Sequence, residues 1–468
     1  MVASFLPVGA NFFMLPIYSR YLSLEDYGAI ALVLTFQAFL PLIMSLQIHS
    51  SISRFYFEFS HNETQLKVFI STVLVIIFFV STTWYIAIFF YMDVIISFLF
   101  PQTIGYNDVF ILGLTTSFIS VFTSVFTSLI RVLQKAKLYM KTSLSIFLFA
   151  LVENVYQVIV LKKGAVGVVE ASLWVSLVSF VLYAFLVKKY FTYKINLNVM
   201  KGPLIYSLPL IPHSVSGMVF LYSDRIILER YVTLGMIGLY MFADKIALLF
   251  KMLVDEFNKS FTPYFNEMSK GSKERAKNKI KDLSLIVLYL LVVLVVVFSA
   301  FSVEVIGLVF DKRYFNSWVM IPYLAIAYVC RNLYQFAVCG LFYEKRTGIV
   351  ALITIVAGAL NVVINLIFIP KYGVIAAVYS TVFSFFISFV LADILSRKVY
   401  YLELKLKKIS VLLVYLFLAI YLLQKINMNY QNFSTKDYLC KLAILGAGFF
   451  LGHKLKLHKF GLLLKVRT

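Results

Sequence analysis

The chain has 468 residues, of which 61% are hydrophobic and only 14% charged, and its mean hydropathy is +0.90. About 285 apolar residues suffice for about 14 bilayer-spanning helices of about 20 residues each, and they leave too little polar surface for a water-soluble domain. A soluble enzyme, a secreted disulfide module and a disordered scaffold are excluded. The 43 Lys and Arg outnumber the 22 Asp and Glu, for a net charge of +21. The basic bias of cytoplasmic loops accounts for that excess without nucleic acid.

Taken in order, the first apolar run covers about 2–19. It reads as a span, because it lacks a basic n-region and a small-residue cleavage site. Pro7 and Pro16 mark it as a gating helix. Residues 28–53, 68–92 and 109–130 follow without a single Asp, Glu, Lys or Arg, and runs at 139–161 and 165–187 complete six. Glu153 is the only acid deep in this half, a candidate for proton or sodium exchange. The next six lie at 203–228, 235–257, 283–303, 317–341, 347–370 and 372–392, and shorter runs at 409–424 and 438–453 bring the total to fourteen. The runs are continuous, with none of the alternation of a transmembrane barrel, so they read as helices.

Of the 43 basic residues, 29 fall in alternate connections and the C-terminal tail, 9 in the others and five inside spans. That asymmetry puts both termini in the cytoplasm. The longest linker, 258–282, carries seven basic residues on the same side and is expected to rest on anionic headgroups. Cys330, Cys339 and Cys440 lie in apolar stretches with no C-x-x-C pair, so neither a disulfide framework nor a metal site is expected.

The chain also repeats itself. Shifted by 210 residues, Tyr21–Gly28 (YLSLEDYG) meets Tyr231–Gly238 (YVTLGMIG), and ISFLFP at 96–101 meets IGLVFD at 306–311. At a shift of 209, 164–182 meets 373–391. Six spans separate the copies, so both have the same orientation. The expected fold is an all-α polytopic membrane protein. Two six-helix lobes are related by a pseudo-two-fold along the membrane normal, with two helices appended, a 12 + 2 arrangement. The lobes are 1–190 and 203–400, joined by a cytoplasmic linker at 191–202, with 401–468 holding the added spans and a basic tail.

Charge inside the bilayer is costly and marks a cavity or a partner. Arg225, Lys245, Lys251 and Arg331 all belong to the second copy; their first-copy equivalents are Leu15, Thr35, Pro41 and Val121. The fold does without charge there, which favours a functional role. Asp244, Lys251 and Asp255 share a helix face at i, i+7 and i+11, and Lys251 with Asp255 is an i,i+4 pair. The competing reading of these acids is local salt bridges. Arg331 has no acid within a turn. It is the best single candidate for an anion contact, the alternative being a pair with an acid on another helix. His213 lies between Pro212 and Ser214 in a stretch also disturbed by Pro209, and is a candidate proton-coupling group together with Glu153, Asp244 and Asp255. Pro209 and Pro212 make the seventh span the gating counterpart of the first. Nucleotide-cradling and catalytic signatures are absent, so no cofactor is expected and transport would run on a proton, sodium or substrate gradient.

Two segments carry a resemblance. LPIYSRYLSLEDYGAIALVL (15–34) and LYSDRIILERYVTLGMIGLYMFADKIALLF (221–250) resemble signatures of bacterial oligosaccharide-repeat-unit flippases (Wzx type) in the multidrug/oligosaccharidyl-lipid/polysaccharide exporter superfamily. Arg225 and Lys245 stand on motif positions. The resemblance implies a transporter of undecaprenyl-pyrophosphate-linked oligosaccharide, moving it from the inner to the outer leaflet of the bacterial plasma (inner) membrane for O-antigen, lipopolysaccharide or capsule synthesis. Membrane lipids and the pathway's polymerase and chain-length proteins are the implied partners. The cations would then meet the pyrophosphate. A membrane polysaccharide polymerase and a multidrug/cation antiporter are the alternatives. The first lacks a large outer loop here, and the second would want unopposed acids.

Overall fold

The computed structural model describes residues 14–271, 273–455 and 457. Helical residues 14–21 lead into α1 (Leu24–Ser45), α2 (Ile48–Phe59), α3 (Glu63–Phe90), the short α4 (Met92–Leu99), α5 (Asn107–Val132), α6 (Ala136–Val155) and α7 (Gly164–Val187). The second half runs α8 (Lys201–Ser207), α9 (Leu210–Glu229), α10 (Leu234–Gly271), α11 (Lys273–Ala300), α12 (Ser302–Val309), α13 (Ile321–Tyr343), α14 (Thr347–Tyr372) and α15 (Val374–Ser396). Then come α16 (Leu406–Asn427) and α17 (Thr435–Lys454). No strand occurs among the described residues.

The repeat is written into the helix boundaries. α1 starts at Leu24 and α10 at Leu234; α3 and α11 agree at both ends, and so do α4 and α12, always at the shift of 210 seen in the sequence. Gly164 and Gly373, 209 apart, stand at the starts of α7 and α15 with φ of +57° and +56°, a left-handed conformation that glycine adopts without cost. The caps correspond too. The Ser23 hydroxyl accepts from the Asp26 N–H at 3.0 Å and the Asp26 carboxylate accepts from the Ser23 N–H at 3.2 Å, a capping box. In the second copy Thr233 accepts from the Met236 N–H at 3.4 Å.

The copies part company at the far end of that helix. Between α1 and α2 the chain breaks at Leu46 and Gln47, both left-handed with φ of 48° and 55°. The Ser45 hydroxyl donates to the Pro41 carbonyl at 2.6 Å and accepts from the Gln47 N–H at 3.2 Å, so the break keeps its polar groups satisfied. In the second copy Lys251 replaces that proline and α10 runs unbroken through Glu256 and Phe257. One copy bends where the other presents charge.

Most of the expected spans appear as helices, and the expected linker does not stay a linker. Ten helices among the described residues are long and apolar enough to cross a membrane, eleven if the pair Leu197–Ser207 and Leu210–Glu229, bent by 42°, counts as one. That bend sits at Pro209, as its sequence suggests. α10 and α17 are helical but fall outside those ten, because α10 carries Asp244, Lys245 and Lys251, and α17 Lys436, Asp437, Lys441 and Lys454. Most of the first expected span lies outside the described residues. Residues 258–282, expected as a linker, are nearly all helical: α10 continues to Gly271 and α11 starts at Lys273. Lys, Glu and Met, good helix formers, carry the helix onward there, with Pro263 tolerated inside it.

Two compact units result, Met1–Met241 and Phe242–Thr468. The division falls inside α10 and differs from the linker at 191–202, because α9 and the first turns of α10 pack on α1. A Cβ on Gly28 would strike the Leu234 carbonyl, and one on Gly238 would strike the Leu24 carbonyl. Each contact is the other shifted by 210, so the crossing of α1 with the start of α10 has local two-fold symmetry.

The same unit contains a polar clasp at helix ends that the charge bias assigns to the outer side. Glu229, the last residue of α9, is fully buried. Its carboxylate accepts from the Gln102 backbone N–H at 2.5 Å, while the Gln102 amide donates to the Glu229 and Val232 carbonyls, the latter at 2.8 Å. Arg230 donates to the Phe98 carbonyl at 2.7 Å. Gln102 thus caps α9 with both its backbone and its side chain. Gln102→Ala takes that donor from two carbonyls, the Glu229 one part-buried and the Val232 one exposed, and is expected to cost about 1 kcal/mol; thermal unfolding of the purified protein measures it, and Gln102→Glu should cost at least as much by repulsion.

Many exposed side chains are large and apolar: Phe79, Phe90 and Leu308 are 64%, 79% and 85% exposed. Such a surface is stable only in lipid. The protein is a multi-pass membrane protein.

Candidate functional site

Asp244, Lys245, Lys251 and Asp255 project from α10, and Arg331 from the middle of α13, all within Phe242–Thr468. α10 has no helix breaker before Pro263, so residues seven and eleven apart stack on one face. Asp255 joins the group. Its Oδ1 lies 2.8 Å from Arg331 Nη1 and its Oδ2 lies 3.3 Å from Lys251 Nζ. One carboxylate bridges two cations, one from its own helix and one from α13. These are the alternatives that the sequence left open: the i,i+4 pair is made, and Arg331 is paired with an acid on another helix. A turn before Arg331, the Tyr328 hydroxyl donates to Asp244 Oδ1 at 3.2 Å. Lys245, half-buried, occupies the neighbouring face of α10.

Two features keep this cluster from being a sealed structural bridge. The side chains of Arg331, Asp255 and Lys251 remain 21%, 28% and 30% exposed, so they are reachable. Arg331 Nη1 is also close to Asp255 without the alignment of a hydrogen bond, and it has no other acceptor. One carboxylate faces two cations, which leaves an excess positive charge, and Arg331 Nη1 is not directionally used.

Arg225 behaves differently. It lies in the first compact unit, 5% exposed. Its Nη1 donates to the Leu221 carbonyl at 2.8 Å and sits 3.6 Å from Asp224 Oδ1, and its guanidinium lies 5.0 Å from the Tyr222 ring and 6.0 Å from the Tyr240 ring. The Tyr240 hydroxyl in turn donates to Asp224 Oδ2. The Ser-Asp-Arg triplet thus ties α9 to the start of α10 with aromatic cover.

Of the coupling candidates, Glu153 accepts from the Gln157 amide at 2.8 Å, and its neighbour Asn154 accepts from the Tyr18 hydroxyl at 2.5 Å. Pro16 lies in the helical stretch 14–21, and Pro209 precedes α9, which contains Pro212. Pro7 and the side chain of His213 lie outside the described residues. Among the described residues no three His, Cys, Asp or Glu side chains are placed to hold a metal ion. Cys330 and Cys339 are buried and Cys440 is exposed, all as free thiols.

Sequence reasoning missed Tyr328 and Tyr240, which carry no charge to attract notice among 31 tyrosines. It also left Lys441 without a role. The structure pairs Lys441 Nζ with Glu304 at 2.7 Å. A lone base in one apolar run and a lone acid at the edge of another were the available signal.

A family model described as polysaccharide biosynthesis protein matches residues 1–269, more than half of the chain. The chain belongs to the polysaccharide biosynthesis protein family. It is 26% identical over 270 residues to "Lsg locus putative protein 1" of Haemophilus influenzae, an alignment covering 56% of this chain and 63% of that relative. This member of the family shares its fold with a lipid II flippase, MurJ, in an inward closed conformation, with a TM-score of 0.75, 16% identity and 98% of each chain covered. An inward-facing multidrug resistance MATE family transporter of the MOP superfamily is also similar, with a TM-score of 0.69, 14% identity, and 85% of this chain and 98% of that one covered. The fold is the one seen in those two proteins.

Proposed function

We propose that the protein is an alternating-access flippase for oligosaccharide linked to undecaprenyl pyrophosphate, carrying it from the inner to the outer leaflet of the bacterial plasma membrane for surface polysaccharide synthesis. The observation that carries this reading is the reachable Arg331–Asp255–Lys251 cluster between α10 and α13 in a member of a polysaccharide biosynthesis family. A pyrophosphate is the part of such a substrate least tolerant of hydrocarbon. Arg and Lys in a low-dielectric site replace its water, and a guanidinium does so with a fork matched to phosphate oxygens. Lys245 and Asp244 border that position, and Arg225 supports it indirectly by fixing α9 on α10. An ion gradient, proton or sodium, supplies the drive, with Glu153 and His213 as coupling groups. Both termini face the cytoplasm in this reading.

The test is the leaflet distribution of lipid-linked oligosaccharide in a deletion strain. Repeat units trapped on the cytoplasmic face are expected. Single, unpolymerised units arriving outside would point to a polymerase, and no accumulation to an antiporter. Arg331→Ala should lower surface glycan at least tenfold, a loss of about 1.4 kcal/mol or more, with normal protein in the membrane; unchanged glycan would refute the role of this cluster.

A further inference from the structure

We propose that Asp255 is a built-in stand-in for the substrate's anion: it holds the Arg331 and Lys251 charges in the empty carrier and is displaced when a pyrophosphate enters. The inference rests on the flippase reading and adds a residue that sets how tightly the headgroup is held and how readily it leaves.

Two cations side by side between α10 and α13 repel each other and need a counter-charge whenever substrate is absent. Asp255 provides it with one oxygen for each cation, at 2.8 Å to Arg331 and 3.3 Å to Lys251. The bridge mimics an oxyanion spanning the same two groups. It is also imperfect, because Arg331 Nη1 makes no aligned hydrogen bond to Asp255 or to anything else. The carboxylate is constrained by its place on α10, one turn from Lys251. A diphosphate is not so constrained. Its several oxygens can meet the guanidinium fork and the ammonium together.

The displaced carboxylate then lies beside a bound anion and repels it. This competition limits affinity and returns the cations to Asp255 as the headgroup departs. A carrier needs such a limit, because a site that only binds does not release. The first copy has no equivalent group: Asp255 corresponds to Ser45, Lys251 to Pro41 and Arg331 to Val121.

Binding of inorganic pyrophosphate to the purified full-length protein tests the idea. Asp255→Asn is expected to tighten binding about tenfold or more, as befits removal of a close charge, and to slow appearance of surface glycan. Asp255→Glu should restore wild-type affinity. Asp282→Asn removes the same charge far along the sequence, from an exposed pair with Lys405 at 2.5 Å, and should change nothing. If Asp255→Asn does not fold, Asp255→Ser, too short to reach Arg331, replaces it with the same expectation. Unchanged or weaker binding in the Asp255 variant, with Arg331→Ala still losing pyrophosphate, overturns the stand-in and leaves the flippase reading intact. An equal gain in Asp282→Asn also overturns it, as a general charge effect. Pyrophosphate binding that neither Arg331→Ala nor Asp255→Asn alters overturns the flippase site itself.

Discussion

Gly28→Ala is expected to destabilise the protein by about 3 kcal/mol, and Gly238→Ala by a similar amount. In each case the added methyl meets a backbone carbonyl, of Leu234 or of Leu24, and a carbonyl inside a helix cannot rotate away as a side chain would. Overpacking typically costs 1–3 kcal/mol, and a rigid obstacle puts these two at the upper end. The local two-fold makes a sharper claim. Either substitution alone must push α1 and the start of α10 apart, so the second should cost little once the first is present. Thermal unfolding of the two single variants and the double measures this. Full additivity would show two independent contacts and no shared crossing. Gly446→Ala is the control: nothing lies within 4 Å of its Cβ position. In the interior of α17 it should gain stability, by about 0.8 kcal/mol.

A second large effect is expected at the last helix. Lys441 on α17 has a side chain only 1% exposed, with its ammonium 2.7 Å from Glu304 and 4.2 Å from the Phe433 ring. At the other end of the helix Gly448 and Gly452 abut the rings of Tyr415 and Tyr289, the small-residue packing that lets membrane helices approach closely. Removing Glu304 strands a buried ammonium, which costs about 3–5 kcal/mol. Lys441→Met strands a carboxylate that is 30% exposed and partly hydrated, so it should cost clearly less. The double variant, with neither charge, should be close to Lys441→Met alone. Glu304→Gln, Lys441→Met and their combination, compared by thermal unfolding, decide the matter. If Glu304→Gln were the mildest of the three, α17 would be held by its glycines and aromatic contacts alone.

These two cases show where the sequence was legible. Span positions and the repeat could be read because hydrocarbon imposes length and polarity on every crossing segment. The 210-residue shift reappears in the ends of α3 and α4 against α11 and α12. The i,i+4 relation of Lys251 and Asp255 was equally legible, being fixed by helix geometry. The seven basic residues of 258–282 obscured the helices there, since charge signals solvent and says nothing of backbone. The break at Leu46–Gln47 was hidden for the opposite reason. An uninterrupted apolar run gives no sign that Ser45 will turn back on Pro41.

The sequence by itself determined that this is a polytopic helical membrane protein, that it is built from two copies, and that Arg225, Lys245, Lys251 and Arg331 belong to the second of them. Solvent transfer and helix periodicity are properties of local composition, and they act the same way wherever the segment ends up. Only the tertiary structure decided partners: Asp255 with Arg331, Glu304 with Lys441, Gln102 with Glu229, Gly28 with Leu234. Those are contacts between residues 76 or more positions apart. They depend on which helices pack and at what register, and the many apolar residues that decide packing are nearly interchangeable in sequence but not in shape.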